Sequence, residues 1–359
     1  MSAFDIEELV IPASLDDPDG AAFREMVDVR NAIETWTFGS PDLEYSAEEL
    51  HPGWLDPYEP KRLLVARVEG RMVARAIHET RTEGSPDVAW LSVEVLPEYR
   101  HRGIGSALLD RLEAIARENG RTVLHAYAIA KELPGERLPS PTGFGSVPLA
   151  DPGVGFLRDR GWTLEQVERS SRLDLPVAAD VLDAHLARAS AASGPDYRVH
   201  TWIDRTPRQW LEDIALLSTR MSTDAPAAGM DAGEETWTVE RVIDYEDKQA
   251  ASPRRQLVAA VEHVPSGSLV GYTELSVPPE PGRAVSQEDT IVMREHRGHR
   301  LGMLLKIANI EHLARTYPGH PSITTFNAEE NRHMLAVNEA VGFVPVAYEG
   351  AWKKLLDEA

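Results

Sequence analysis

A glycine-containing, arginine-rich loop at residues 100–105 has the residue types that bind an anion. Gly103 and Gly105 lack a Cβ, so their backbone N–H groups can approach a bulky anion closely. Arg100 and Arg102 add cationic donors whose geometry suits phosphate oxygens. An ordinary glycine turn with two solvated arginines is the alternative interpretation of the same residues.

The elements on either side of this loop favour the phosphate site. Residues 89–95 alternate apolar and polar side chains, which predicts a half-buried strand, and Pro97 ends its hydrogen bonding. After the loop, one face of a predicted helix carries Leu108, Leu112, Ile115 and Ala116. The start of a helix offers unpaired N–H groups and the positive end of the helix dipole. The loop is therefore expected where a phosphate would be stabilised.

A second copy of the pattern lies in the C-terminal half. In each half a strand valine precedes the first arginine of the loop by five positions, Val95 before Arg100 and Val292 before Arg297. Arg300 stands where the second loop should carry its first glycine, and a side chain there either crowds a phosphate or adds a cation to it. The repeated spacing predicts two copies of one fold.

The motif R-x-x-G-x-G, between a V-x-V-x-P strand and a long amphipathic helix, resembles the acyl-CoA pyrophosphate loop of the GNAT family of N-acetyltransferases. The resemblance implies an α/β fold with two tandem GNAT-like domains, each a mixed, mostly antiparallel sheet flanked by helices. The implied bounds are 1–176 for the N-terminal GNAT domain, 177–195 for a helical linker and 196–359 for the C-terminal GNAT domain. The tandem plan is also distantly similar to that of the mycothiol synthase family.

The resemblance implies acetyl-CoA, or another acyl-CoA, as the cofactor. Its pantetheine arm is expected between two parting parallel strands, and its pyrophosphate on the loops. The residues expected to bind it are Val95, Leu96, Pro97, Arg100, His101, Arg102, Gly103, Ile104, Gly105 and Ser106 in the first half, and Val292, Met293, Arg297, Gly298, His299, Arg300, Leu301 and Gly302 in the second. Asn331 and Met334 match the family's N-x-x-A element, so Asn331 and the preceding Asn327 join this set.

The expected acceptor is an amine, which is mostly protonated at neutral pH because alkylamines have pKa values near about 10. A base must remove a proton, and Glu94 is the candidate because it lies on the opposite strand face from Val93 and Val95. A backbone N–H near Val95 is expected to polarise the acyl carbonyl. An exposed strand carboxylate without a catalytic role is the alternative for Glu94. Glu288 and Asp289 occupy comparable positions in the second half, so Asp289 is a second candidate.

The family often has a tyrosine four residues before a closing Gly-aromatic pair, where it protonates the leaving thiolate. Leu157 and Asn338 stand at those positions here. Asn338 shares a helix face with Asn331 by spacing and is a candidate catalytic residue. Helix capping is the alternative for the asparagines at 327, 331 and 338. Neither Leu157 nor Asn338 is an acid, so water, Tyr127 or Tyr348 is expected to supply the proton.

The composition excludes several classes of protein. A formal net charge of −21 argues against a nucleic-acid partner. The absence of cysteine excludes thiol catalysis, disulfides and Cys-ligated zinc. No apolar run approaches the length of about 20 residues that spans a membrane, and the N-terminus lacks a signal-peptide pattern, so a cytoplasmic location is expected. His296 and His299 could ligate a metal by spacing, but Arg297 and Arg300 beside them would repel it, so no metal is expected.

The expected function is transfer of an acetyl group from acetyl-CoA to a primary amine of a small molecule, by direct attack in a ternary complex on a monomer or homodimer. A non-catalytic acyl-CoA-binding or scaffold protein is the alternative, because both halves lack the family's tyrosine. A third hypothesis has one active and one degenerate GNAT domain. The sequence identifies neither the acceptor nor the acyl chain length.

Three other stretches carry predictions. Residues 37–60 form a long span without a clear period, which predicts an irregular binding wall or lid. Residues 130–153 are rich in Pro and Gly and are expected to be irregular. Asp224 could pair with a substrate amine, although a helix-ending Asx turn explains the same residue equally well.

Overall fold

The structure is a computed structural model that describes residues 4–230 and 233–357. The chain divides into two compact units. Unit 1 comprises Met1–Glu168, Ala227–Gly233 and Ala347–Ala359, and unit 2 comprises Arg169–Pro226 and Glu234–Val346. The domain bounds 1–176, 177–195 and 196–359 stay a prediction, and the units differ from them chiefly because the C-terminal segment belongs to unit 1.

Helices and strands alternate along the whole chain. The first elements are β1 (Asp5–Leu9), α1 (Gly20–Phe38), α2 (Ala47–Trp54), β2 (Lys61–Val68), β3 (Arg71–Glu79), β4 (Val88–Val95), α3 (Ile104–Glu118), β5 (Val123–Ala130), β6 (Arg137–Pro139), β7 (Ser146–Pro148), α4 (Pro152–Asp159) and β8 (Thr163–Asp174). The later elements are α5 (Ala179–Ser193), β9 (Tyr197–Ile203), α6 (Leu211–Asp224), α7 (Val239–Ala251), β10 (Arg255–His263), β11 (Ser268–Val277), β12 (Val285–Val292), α8 (Leu301–Thr316), β13 (Ser322–Ala328), α9 (Arg332–Val341) and β14 (Val344–Leu355). The predicted α/β class is confirmed.

In unit 1, β1 to β4 pair antiparallel in chain order, and β5 is a parallel neighbour of β4. The C-terminal strand β14 pairs antiparallel with β5. Residues of β4 pair with β5 only from Val88, opposite Val123, to Trp90, opposite His125. Beyond Trp90 the two parallel strands part, as the family resemblance implies.

Successive side chains of a strand point to opposite faces of the sheet, so helices can pack on both. The sheet of unit 1 carries helices on both faces. On one face, Gly105 of α3 lies over Val95, whose Cγ2 is 3.6 Å from the position of an added Cβ. On the other, Arg75 of β3 reaches Met26 of α1, with 3.8 Å between Nη1 and Sδ. The predicted apolar face of α3 is buried, namely Leu108, Leu112, Ile115 and Ala116. The face that carries α1 is therefore the side opposite the loop helix.

In unit 2, β9 to β12 pair antiparallel in chain order. Strand β13 runs parallel to β12, with Val285 opposite Ile323 and Ser286 opposite Thr324. Residues of α5 and α8 share one apolar cluster with the sheet, and residues of α6 and α7 share another with Tyr272 of β11. Unit 2 thus repeats the arrangement of unit 1, with helices on both faces of a sheet that contains one parallel pair among the strands described here.

Two predictions about irregular segments are wrong in part. Residues 37–60 contain helix α2, whose start is fixed by a capping box: the Ser46 side chain accepts from the Glu49 amide, and the Glu49 side chain accepts from the Ser46 amide. Residues 130–153 contain the short antiparallel pair β6 and β7. Helix α7 has no counterpart among the sequence predictions, although Thr238 caps its first turn.

The predicted linker helix is part of unit 2. Ala189 of α5 is fully buried in the apolar cluster that also contains residues of α8. Over residues 4–230 and 233–357, none of the helices combines the length and apolar character that crossing a membrane requires.

Candidate functional site

The loop that follows β4 is tied to the end of that strand by its first arginine. Arg100 Nε donates to the Val95 carbonyl oxygen at 3.0 Å, and the guanidinium lies 4.3 Å from the centre of the Trp36 ring. Lys131 Nζ lies 3.7 Å from the same ring centre. No carboxylate of the described residues is within ion-pair distance of Arg100, although the charge of Asp151 acts on it. Arg100 therefore keeps its positive charge available to an anion.

Two residues of this loop adopt the left-handed backbone conformation. His101 has φ 58° and Gly103 has φ 84°. Gly103 is the N-cap of α3 and has no side chain to accept from the first-turn N–H groups, and an added Cβ there would meet no atom within 4 Å. These N–H groups and the open space beside them form a cradle that a larger side chain would fill. The loop fits a diphosphate on this observation.

One amide at the strand edge beside the loop is already paired within the sheet. The Leu96 N–H donates to the Val73 carbonyl at 2.9 Å, on the β3 side, and the role of Leu96 in cofactor binding stays a prediction. Backbone groups of successive strand residues point to opposite edges, so the Val95 N–H points toward the parting from β5. Ile104 is buried, and its side chain contacts the core rather than the cradle. The remaining assignments in this loop stay predictions.

The loop of unit 2 has the same backbone form with a different placement of glycine. Arg297 Nε donates to the Val292 carbonyl at 3.0 Å, as Arg100 does to Val95. Its two left-handed residues are Gly298, with φ 92°, and Arg300, with φ 56°. These positions correspond to His101 and Gly103, so each loop has glycine at only one of the two left-handed positions. Arg300 thus brings a side chain to the N-cap that in unit 1 is bare.

Arg297 of the second loop is paired with a carboxylate. Asp224, at the end of α6, accepts from Arg297 Nη2 at 2.8 Å and forms an ion pair with Arg294 Nη2 at 3.0 Å. Both carboxylate oxygens of Asp224 therefore face arginines. Pairing of Asp224 with a substrate amine stays a prediction. Asp224 therefore offsets part of the positive charge of the second loop.

The asparagines of unit 2 bond to one another and to their own helix. Asn331 accepts from the Met334 N–H at 3.3 Å and so caps α9. Asn338 is buried, and its Nδ2 donates to Asn327 Oδ1 at 2.7 Å. The capping alternative therefore applies to Asn331, and the cofactor and catalytic roles of the three asparagines stay predictions.

On the α1 face of unit 1, Glu94 is held by an arginine. Arg75 donates to its carboxylate through Nε at 2.9 Å and through Nη2 at 2.6 Å, and Ser92 Oγ donates at 3.0 Å. Burial opposes ionisation, but the Arg75 charge and hydrogen bonds outweigh it and lower the pKa of Glu94. Glu94 is therefore a stable anion and a weak base.

Two further carboxyls of unit 1, on α1 and β14, are not among the residues that the sequence predicts. Burial raises the pKa of Glu34 on α1, where the charge of Glu94 adds to the effect. Burial also raises the pKa of Glu349 on β14 well above its usual range, together with the charges of Glu168 and Glu34. Burial raises the pKa of Tyr127, which makes its phenol a poorer acid for a leaving thiolate. No sequence signal connects Glu349 to Glu34, because β14 and α1 are far apart in the sequence.

In unit 2, Asp289 and Glu288 remain exposed to solvent, and burial raises the pKa of each carboxyl. The hydroxyl of Tyr272 donates to Asp289 Oδ2 at 3.4 Å. His296 Nδ1 is hydrogen-bonded to the Tyr197 hydroxyl at 2.9 Å, and no group of three or more acidic or histidine side chains among the described residues is placed to hold a metal ion.

The sequence and the fold are similar to those of known proteins. Residues 25–135 match the model of the acetyltransferase (GNAT) family. No curated protein matched the sequence. A tandem GNAT protein from the clavulanic acid biosynthesis pathway, solved without AcCoA, is 26% identical, with a TM-score of 0.74 over 99% of this chain and 100% of that chain.

Two more distant structures share the fold alone. A GCN5-related N-acetyltransferase from Sphaerobacter thermophilus is 14% identical, with a TM-score of 0.62 over 98% of this chain and 95% of that chain. Saccharomyces cerevisiae N-myristoyltransferase with bound myristoyl-CoA is 9% identical, with a TM-score of 0.58 over 98% of this chain and 79% of that chain. The chain therefore has the fold of the tandem GNAT proteins and carries a domain of the GNAT acetyltransferase family at residues 25–135.

Proposed function

We propose that unit 1 is an acyl-CoA-dependent N-acyltransferase that transfers acetyl from acetyl-CoA to a primary amine of a small molecule, by direct attack in a ternary complex. The observation that carries the proposal is the bare helix N-terminus at Gly103, preceded by an Arg100 that pairs with no carboxylate of the described residues. The family match over residues 25–135 supports the same chemistry.

The cofactor, when bound, supplies an acyl thioester that an amine can attack. The first-turn N–H groups of α3 and the Arg100 guanidinium would hold its diphosphate. The Val95 N–H points toward the parting between β4 and β5, where it would donate to the acyl carbonyl. The departing CoA thiolate would take its proton from water. Holding amine and carbonyl in line supplies several kcal/mol of the barrier, about 7 or more in well-oriented systems.

The α1 face of the sheet receives the amine. Glu349 accepts a proton from the ammonium group, because its raised pKa makes it a stronger base than Glu94. Glu94, kept ionised by Arg75, attracts and orients the cation. Glu94 as the base is the competing prediction, and the pH profile of turnover separates the two roles.

Unit 2 is the degenerate partner in this proposal. Its loop carries Arg300 at the N-cap, and Asp224 neutralises Arg297. Both features weaken an anion site, the first by filling space and the second by cancelling charge.

The test is a turnover assay on the full chain with acetyl-CoA and a panel of small amines, with release of free thiol and the mass of the product as readouts. We expect thiol release that depends on the amine, and a product heavier than its amine by one acetyl group. Gly103→Arg should abolish turnover. Gly120→Arg is the matched control, because Gly120 lies at the other end of α3, is also left-handed with φ 67°, and has no atom within 4 Å of an added Cβ.

A non-catalytic acyl-CoA-binding protein is the second candidate. It is favoured by Leu157, a buried apolar residue on α4 where the family often has a tyrosine. Cofactor binding without turnover by any amine would support that candidate and contradict the proposal.

A further inference from the structure

Three side chains of unit 1 meet beside the loop of residues 100–105, and we name them the tryptophan cluster. The centre of the Trp36 ring, in the last turn of α1, lies 4.3 Å from Arg100 Cζ and 3.7 Å from Lys131 Nζ. Lys131 Nζ also donates to the Trp36 carbonyl oxygen at 3.3 Å. Trp36 is 43% exposed, so the cluster is open to solvent.

The two cations of the cluster come from the two parallel strands that part in unit 1. Residues of β4 and β5 pair only as far as Trp90 and His125. Arg100 lies in the loop after β4, whereas Lys131 directly follows β5. Their side chains meet again at Trp36, on α1. The tryptophan cluster therefore bridges the ends of the two strands between which the pantetheine arm of the cofactor is expected.

The backbone of Lys131 is held in place by Asp151, the N-cap of α4. The Lys131 N–H donates to Asp151 Oδ2 at 3.1 Å. Asp151 Oδ1 accepts from the Gly153 N–H at 2.8 Å and from the Val154 N–H at 3.1 Å. Both oxygens of the carboxylate whose charge acts on Arg100 are therefore bonded to backbone donors.

The cations of the cluster have an aromatic partner and no acidic one. Among the described residues, Arg100 and Lys131 form no ion pair with a carboxylate. The Trp36 ring attracts each cation, but two like charges drawn to one ring repel each other. An anion between them would offset this repulsion and accept charge-assisted hydrogen bonds from both. The tryptophan cluster therefore has the composition of an anion site.

We propose that Lys131 binds a phosphate group of the acyl-CoA together with Arg100, and that Trp36 is the positioning residue that holds both cations. The inference rests on the proposed function for the identity of the ligand, and it adds two residues that lie outside the loop motif. The phosphate belongs either to the diphosphate or to the 3′-phosphate of the ribose.

Calorimetric titration of CoA into the full chain tests Lys131. Lys131→Met removes the charge and keeps an unbranched side chain, so CoA affinity should fall about threefold to tenfold at low ionic strength, as for one charge-assisted contact. The fall should be smaller at high ionic strength, because salt screens the contact. Titration with 3′-dephospho-CoA assigns the phosphate. An equal fall for both ligands places Lys131 at the diphosphate, and a fall for CoA alone places it at the 3′-phosphate.

Lys248→Met is the matched control. Lys248 also lies over an aromatic ring, with its Nζ 4.9 Å from the centre of the Tyr245 ring, but it belongs to α7 of unit 2. The substitution changes the net charge by the same amount as Lys131→Met. CoA affinity of Lys248→Met should equal that of the parent.

Substitution of Trp36 tests its positioning role. Trp36→Leu should weaken CoA binding, and Trp36→Phe should restore most of the affinity because it keeps an aromatic face. In the Lys131→Met background, Trp36→Leu should cost less affinity than in the parent, because part of its effect acts through Lys131. Equal costs in the two backgrounds would contradict the positioning of Lys131. Thermal unfolding verifies the fold of each variant, and Lys131→Met carries the test if Trp36→Leu does not fold.

Two results would overturn the inference: CoA affinity of Lys131→Met equal to that of the parent, or equal losses in Lys131→Met and Lys248→Met. Either result leaves the proposed function standing, since turnover and Gly103→Arg test that function. Weaker CoA binding by Lys131→Met without turnover of any amine would contradict the proposed function and support the inference.

Discussion

The carboxylate of Glu94 and the guanidinium of Arg75 face each other across β3 and β4 through two hydrogen bonds, of 2.9 and 2.6 Å. Their residues are paired in register, and Arg75 is only 7% exposed. Glu94, which the sequence predicts to be a base, is thus the hydrogen-bonded partner of the buried Arg75 guanidinium. This contact gives Glu94 a structural role that can be measured.

Glu94→Gln should lower the free energy of unfolding by about 2 kcal/mol, because a buried arginine loses a charge-assisted partner. Urea denaturation at pH 7 measures the change. Glu98→Gln is the control, since Glu98 forms a 3.7 Å pair with Arg71 in which both side chains are exposed, and such pairs contribute about 0.5 kcal/mol. Equal losses in the two variants would contradict the structural role of Glu94.

The pH profile of turnover separates Glu349 from Glu94 as the base. The raised pKa of Glu349 means that it accepts an ammonium proton only after losing its own, so kcat/KM should rise with pH above the usual range of a carboxyl group. Glu349→Gln should remove this rise and lower kcat/KM about 100-fold. Glu94→Gln should lower the rate but keep the rise, and loss of the rise in Glu94→Gln alone would restore Glu94 as the base.

The local pattern of the sequence predicts the elements well because burial imposes a period. Residues 108, 112, 115 and 116 were predicted to share a face, and all four are buried in α3. Helix α2 lies in a stretch expected to be irregular, although the capping box at Ser46 and Glu49 is a sequence signal for its start. The sequence predicts the roles of Arg100 and Gly103 because both lie in one short motif, R-x-x-G-x-G, between a strand and a helix.

Residues brought together by distant strands could not be found in this way. Strand β14 pairs with β5, which places Glu349 opposite Ile129 in unit 1. The residues near position 349 carry no pattern that predicts this pairing. Arg75 and Glu94 are likewise joined only by strand register. The ion pair with Asp224 reduces the positive charge that Arg297 offers to an anion. This contact depends on the residue at which α6 ends. Charge environments of this kind follow from tertiary structure.

Asp224→Asn should strengthen CoA binding at unit 2. The substitution frees Arg297 from a carboxylate while leaving its bond to the Val292 carbonyl in place. Titration in the Gly103→Arg background isolates unit 2, and we expect the affinity for CoA to rise about threefold to tenfold, as for one added charge contact of about 1 kcal/mol. Unchanged or weaker binding would show that Arg297 does not face the ligand.

Lys306 gives unit 2 a measurable pH dependence of stability. Burial lowers its pKa to about 7, and its Nζ donates to Gln287 Oε1 at 3.3 Å. Between pH 7 and the ordinary pKa of lysine, the unfolded chain binds a proton that the folded chain does not. Stability therefore rises with pH across this window.

Lys306→Met should remove that rise and stabilise the protein at pH 7 by about 2–4 kcal/mol, because it removes the cost of a buried amine. Urea unfolding from pH 6 to pH 10 measures both effects. A variant with the same pH dependence as the parent would contradict the lowered pKa of Lys306.

The central claim is that the bare N-terminus of α3 at Gly103 holds a diphosphate, and calorimetric titration of CoA into the full chain tests it most directly. Arg300 shows that an arginine is accommodated in this backbone conformation, so Gly103→Arg should fold. We predict that Gly103→Arg weakens CoA binding by at least about tenfold, or about 1.4 kcal/mol, whereas Gly120→Arg leaves it unchanged. Equal CoA affinity of the parent and Gly103→Arg would contradict the claim.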